Sequence, residues 1–250
     1  AIWDVATGRK ICPLGLSESV FSLAFSSDGR TLQVENTLWN LATGELIRVL
    51  PGSGIRMSGD GRSAVSYEPE GERPVTCVRD LTTGGKLATF AGRPAGYSHS
   101  GRLVVTDTDD NSLIVWNVGT GRKSQTIPMG DMSFLSLAFS PDGLQIVTTA
   151  KATSLGLVPI PPFTDCELVF WDLQTGRRIR TLAGAKDQNL VTFSPTGRYM
   201  LSGGGKRAIL WDAKTGRSVR TFTDEDGYAA LSVAVSPDER QILVTYRKGK

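Results

Sequence analysis

At 250 residues, 40% of them apolar and 21% charged, the chain is long enough to bury a sizeable core, as one large all-β domain or two average ones. A formal net charge of +3 is too small to imply a nucleic-acid or membrane partner, and no run of 18 apolar residues offers a membrane-spanning helix. Residues 1–20 lack the basic start and apolar stretch of a secretory signal, and Cys12, Cys77 and Cys166 make no even-numbered disulfide framework, so the expected compartment is the cytoplasm.

The chain begins at the end of a strand, AIWD, which runs through Trp3 into the turn WDVATG. A strand VFSLAF (20–25) leads into the turn FSSDGR, and the turn WNLATG starts at Trp39. MSGDGR from Met57 and RDLTTG from Arg79 follow, then YSHSGR from Tyr97, strands RLVVT (102–106) and SLIVW (112–116), and WNVGTG from Trp116. FLSLAF (134–139), FSPDGL from Phe139 and LQIVTT (144–149) come next, and after AKATSLGLVPIPPFTDCE (150–167) the chain reaches WDLQTG at Trp171. The order then recurs: FSPTGR from Phe193, SGGGKR (202–207), AILW (208–211), WDAKTG from Trp211, ALSVAV (230–235), VSPDER from Val235 and RQILVT (240–245).

Positions 3, 39, 79, 116, 171 and 211 are separated by 36, 40, 37, 55 and 40 residues, the signature of stacked supersecondary units. Within each unit, short runs rich in β-branched and aromatic residues are bounded by turn chemistry. Pro pre-sets φ, Asp or Ser bonds back to the local backbone, and Gly accepts positive φ. Each unit therefore reads as strand a, turn, strand b, loop, strand c, Thr-Gly turn, strand d. Four-stranded antiparallel units at this period close radially, so the expected fold is an all-β, six-bladed β-propeller forming a single domain over residues 1–250. Cations after the Thr-Gly turns (Arg9, Lys10, Arg122, Lys123, Arg177, Arg178, Arg217, Arg220) fall on the outermost strand d, where charge discourages edge-to-edge association.

Trp-Asp or Trp-Asn in five of six repeats, with an FSPDG-like turn in every one, makes the chain resemble a WD-repeat β-propeller over its whole length. The resemblance implies a non-catalytic platform for other proteins or peptides. Two features depart from the family pattern. The Gly-His dipeptide that opens many family repeats is absent, and Arg79 replaces one tryptophan. A buried Asp-His-Ser/Thr-Trp hydrogen-bond network is therefore not expected, and packing is expected to rest on apolar burial.

The two ends are complementary halves of one repeat. Setting Lys250 before Ala1 gives VTYRKGK followed by AIWD, which matches SGGGKRAILWD (202–212) without a gap. The expectation is a monomeric ring in which the N-terminal c and d strands complete the C-terminal blade. The first residue is Ala1 rather than Met, and the ring is expected either alone or as one part of a longer chain.

Convergent catalytic groups are scarce. The single histidine, His99, lies inside a turn, no His or Cys pair has zinc spacing, and SGGGKR lacks the Ser/Thr of a phosphate loop. No catalytic, cofactor-binding or metal-binding residue is expected. Two other readings stand beside the platform. The Asp-x-x-Thr-Gly turns also resemble those of quinoprotein-like propeller enzymes, although none of the six has the tryptophan that usually follows; a periplasmic assembly scaffold of similar shape is the other.

From the turn serine to the Trp position the repeats count 13, 21, 18, 31, 17 and, across the join of the two ends, 17 residues, so the b-to-c loop varies most. Insertions on one face are commonly the binding elaboration. In the longest loop Val158, Ile160, Pro161, Pro162 and Phe163 form a stiff apolar stretch that either binds a partner or covers its own blade. By the resemblance, b-to-c and d-to-a loops share the face that holds partners. The b-to-c loops of the second and third repeats carry Glu68, Glu70, Glu72, Asp107, Asp109 and Asp110; the last two carry Lys206, Arg207, Arg247, Lys248 and Lys250. The partner-binding candidates are the five insert residues with Lys206, Arg207, Arg247, Lys248, Glu70, Asp109 and Asp110.

Overall fold

The computed structural model describes residues 2–3, 10–12, 23–26, 30–70, 73–130, 132–152, 166–182, 184–185, 187–223, 229–236 and 238–247. All of its regular elements are strands. The first sheet pairs β1 (Ile2–Trp3) with β2 (Lys10–Cys12). The next has four strands in chain order: β3 (Leu23–Phe25), β4 (Thr31–Val34), β5 (Thr37–Asn40) and β6 (Leu46–Val49). Then come β7 (Ser53–Met57), β8 (Ser63–Glu70), β9 (Arg73–Asp80) and β10 (Lys86–Ala91). β11 (Arg93–Tyr97), β12 (Leu103–Asp107), β13 (Ser112–Asn117) and β14 (Lys123–Pro128) form another sheet. A further one holds β15 (Met132–Phe139), β16 (Gln145–Ala152), β17 (Cys166–Asp172) and β18 (Arg178–Leu182). β19 (Leu190–Phe193), β20 (Tyr199–Gly204), β21 (Arg207–Asp212) and β22 (Ser218–Thr223) make the last four-stranded sheet, and β23 (Ala229–Val235) pairs with β24 (Ile242–Arg247) alone.

The expected a-b-c-d order is therefore present in five four-stranded sheets, with strand d on an outer edge of each. The half-repeats at the two ends are separate two-stranded sheets. No described helix is long and apolar enough to cross a membrane.

Both turn types form by one recurring mechanism. In all six a-to-b turns the serine at the start (Ser26, Ser58, Ser98, Ser140, Ser194, Ser236) accepts the backbone N–H five residues on, through its hydroxyl, at 2.9–3.1 Å. In the Thr-Gly turns the side chain of Asn40, Asp80, Asn117, Asp172 or Asp212 accepts the N–H of the threonine three residues later at 2.7–3.2 Å. The following glycine sits at φ of 67–76°, a left-handed conformation that any side chain would strain. Those bonds favour the ionised carboxylates and hold Asp80, Asp172 and Asp212 below the usual range.

The chain forms two compact units, residues 1–106 with 117–122, and 107–116 with 123–250. In the first, Leu38, Leu50, Ile55, Ala64 and Leu81 pack together. In the second, Val147, Leu168, Phe170, Leu182, Met200, Ile209 and Trp211 make the larger cluster, and the Phe193 ring meets Phe170 edge-on at 6.2 Å. Strands b and c carry most of this apolar surface because they lie inside their sheets, whereas β14, β18 and β22 are largely exposed.

Candidate interaction surfaces

The polar groups inside the sheets correct one expectation. Trp211 Nε1 donates to Ser202 Oγ at 2.9 Å, and Ser202 Oγ donates to Gln188 Oε1 at 2.8 Å, with Ser202 and Gln188 fully buried. Trp171 Nε1 likewise donates to Thr148 Oγ1 at 2.9 Å, and Trp39 Nε1 to Thr37 Oγ1 at 2.7 Å. The Ser/Thr-Trp part of a buried network is thus present without any histidine. Gln188 is delivered by a loop packed so closely on Gly204 that a Cβ there would overlap the Asp187 carbonyl. That close approach accounts for Gly204 of SGGGKR, whereas a Cβ at Gly203 would meet Val233 and Gly205 takes φ of 50°.

Arg79, the one replaced tryptophan, has a partner of its own. Its Nε and Nη2 each donate to a Glu68 carboxylate oxygen at 2.8 Å, and Ser66 Oγ donates to the same carboxylate at 2.7 Å. Glu68 is 7% exposed, and the Arg79 guanidinium holds its carboxyl down at about 2, outweighing the cost of burial. An ionic Arg-Glu-Ser unit stands where other sheets place tryptophan and a hydroxyl. Glu68 consequently belongs to the interior rather than to the acidic rim.

Neighbouring sheets are clasped by the middle of strand d. Arg48 donates to the Thr82 carbonyl at 3.2 Å, Gln125 to the Gln174 carbonyl at 2.5 Å, and Arg180 to the carbonyls of Lys214, at 2.6 Å, and Ala213. Each acceptor lies in the next Thr-Gly turn. The Arg180 guanidinium also stacks over the Phe170 ring, 4.5 Å from its centroid. In the first unit, Gly59 stands where other turns have proline, and the His99 ring occupies the space a side chain there would need. His99 is thus a packing group of its turn, as its sequence context suggests.

The described candidate partner-binding residues fall at the b-to-c ends of their own sheets. Glu70 ends β8, is exposed, and pairs with Lys86 at 3.5 Å. A surface pair of this kind contributes about 0–1 kcal/mol. Asp109 and Asp110 are exposed in the turn joining β12 to β13, where Thr108 donates to Asp110. Lys206 is exposed in the hairpin between β20 and β21, and Arg207 is the half-buried first residue of β21. Arg247 ends β24, but its side chain, together with Lys248, Val158, Ile160, Pro161, Pro162 and Phe163, lies outside the described residues. Among the described residues no group of three or more His, Cys, Asp or Glu is arranged to hold a metal ion.

Residues 176–212 match the family model described as WD domain, G-beta repeat. The chain is similar to eukaryotic translation initiation factor 3 subunit I of Kluyveromyces lactis, 22% identical over 207 residues, covering 83% of this chain and 52% of that protein. It is also similar to B-type cell cycle switch protein ccs52A of Medicago truncatula, 23% identical over 257 residues, with 97% and 52% covered. Cilia- and flagella-associated protein 52 of Chlamydomonas reinhardtii is 24% identical over 152 residues, with 60% and 22% covered. The chain spans about half the length of the first two of these relatives.

Proposed function

Because this chain is a WD-repeat protein, we propose that it is a non-catalytic interaction scaffold. Its partner, another protein or a peptide, binds the face carrying the b-to-c and d-to-a loops. The observation that carries this reading is the division of labour within each sheet. Described serines, aspartates and tryptophans with defined partners are used to lock turns and strands, whereas Asp109 and Lys206 stand exposed at the b-to-c ends. A relative named as a subunit of an initiation factor supports the same reading. The candidate residues are Glu70 in the first unit and, in the second, the acidic Asp109 and Asp110, the basic Lys206, Arg207, Arg247 and Lys248, and Val158, Ile160, Pro161, Pro162 and Phe163 of the insert. Opposed charges of this kind orient a partner and speed encounter.

The test is quantitative affinity capture with the intact chain, with Asp109→Lys/Asp110→Lys and with Lys206→Glu, each checked for an unchanged melting temperature. Loss of one common partner from the charge variants supports the reading. An identical partner set from all three would remove this face from consideration.

We also propose that the two-stranded end sheets form a sixth blade and close a ring. Leu243 is 64% exposed, while Val65, Val105, Val147 and Leu201, at the same place in strand b, are 0% exposed. The pairing of Ile146 with Trp171 and of Met200 with Trp211 sets the corresponding register as Ile242 with Trp3, hence Leu243 with Ile2. Ile2→Cys/Leu243→Cys should then oxidise to an internally cross-linked monomer. A cross-linked dimer, or no cross-link, would rule out closure within one chain.

A further inference from the structure

The five complete sheets and the end repeat supply an internal standard for strand d, and β6 departs from it at three places. At the first residue after the Thr-Gly turn the other repeats have Arg9, Arg122, Arg177 and Arg217, or Gly85, where this strand is preceded by Glu45. At the second, Lys10, Lys86, Lys123 and Arg178, or Ser218, correspond to Leu46. At the fifth, Thr89, Thr126, Thr181 and Thr221, or Pro13 in the end repeat, correspond to Val49. Charged and polar residues at such places keep an outer edge from pairing with another chain; β6 has exchanged two of them for apolar residues and the first for an acid.

The structure leaves this edge open. β6 ends the order β3-β4-β5-β6, so one side of its backbone has no strand partner among the described residues. Leu46 is 47% exposed, Ile47 48% and Val49 57%. The one cation in the strand, Arg48, is turned away onto the Thr82 carbonyl. Glu45 is exposed and in no ion pair among the described residues.

We propose that β6 is a docking edge for an extended segment of a partner protein, which adds to the sheet as a fifth strand. Backbone hydrogen bonds provide the attachment, Leu46, Ile47 and Val49 receive apolar side chains, and Glu45 receives a Lys or Arg at one end of the segment. Only an extended polypeptide answers both the open ladder and the apolar side chains. A second copy of this chain fits less well. Three half-exposed side chains fall far short of the roughly 800 Å² per partner of a stable dimer interface. This edge is separate from the loop face, so the outcome of one test does not determine the other.

The test uses the whole chain and a fluorescein-labelled peptide, Lys-Val-Thr-Val-Thr-Val-Gly, with its Glu-for-Lys counterpart, followed by anisotropy and by amide hydrogen exchange. The Lys peptide should bind and slow exchange at residues 46–49. Leu46→Lys/Val49→Thr, which installs what the sister strands carry at exposed positions, should melt like the parent and bind about tenfold or more weakly. Glu45→Arg should reverse the preference between the two peptides. Absence of binding at millimolar peptide, full binding by Leu46→Lys/Val49→Thr, or protection confined to other strands would overturn the proposal. So would a concentration-dependent dimer of the free chain that Leu46→Lys/Val49→Thr abolishes, since the occupant would then be a second copy.

Discussion

Replacing Arg79 with tryptophan would restore the residue found at this place in the other five repeats, and substitutions toward a consensus commonly stabilise. Here the opposite is expected. Glu68 is 7% exposed, and its carboxyl is held at about 2 instead of 4.5 mainly by the Arg79 guanidinium. That difference of 2.5 corresponds to roughly 3 kcal/mol at about 1.36 kcal/mol per pKa unit. Removing the cation forfeits most of this, the Ser66 hydrogen bond to Glu68 remaining, and leaves a desolvated carboxylate. A tryptophan at 79 would regain about 1 kcal/mol by donating to Ser66, as Trp211 does to Ser202. The net expectation for Arg79→Trp is a loss of about 2 kcal/mol at pH 7, read by urea unfolding. Glu68→Ala in the same chain should recover most of it. Because the folded-state pKa is depressed, the Glu68 contribution is complete above about 4.5 and disappears as pH falls toward 2. The gap between parent and variant should close over that window. An Arg79→Trp protein as stable as the parent at pH 7, with Glu68 in place, would refute the reasoning.

Ser202→Ala strands both the Trp211 N–H and the buried Gln188 acceptor and should cost about 2–4 kcal/mol, measurable by chemical unfolding with tryptophan fluorescence. Gly59→Pro, although Pro141, Pro195 and Pro237 stand at this place in other turns, should destabilise by about 2 kcal/mol or more. The new ring meets His99, and the Gly59 N–H bond to the His99 carbonyl at 2.8 Å is lost, so His99→Ser should restore only part of the melting temperature. Glu239 takes a glycine place at φ 57° and accepts from Thr196 Oγ1 at 2.5 Å, compensating for the aspartate that this neighbouring turn lacks. Glu239→Ala should therefore cost about 1–2 kcal/mol by thermal unfolding, while Glu239→Gly, which relieves the backbone strain as it loses the bond, should stay within about 0.5 kcal/mol of the parent.

The sequence alone determined the repeat, the strand order within it and both turn types. Those properties depend on local chemistry: a serine hydroxyl reaching a backbone N–H five residues away, an Asp or Asn reaching one three residues away, and a glycine that can take positive φ. The same locality placed Lys206, Asp109 and Asp110 at exposed hairpin ends, because loop polarity is set by solvent. Tertiary structure decided what depends on groups far apart in the chain. Gln188 serves Ser202 and Trp211 only because Gly204 lets its loop approach β20, and nothing near Gln188 marks it as a buried acceptor. Glu68 reads as one more rim acid until β8 and β9 set it against Arg79. Arg48, Gln125 and Arg180 read as edge residues until the next sheet's turn presents its carbonyls to them. Short-range hydrogen bonds are written in residue order, whereas the partner of a buried charge or carbonyl is set by the packing of sheets, which brings together residues 9 to 49 positions apart.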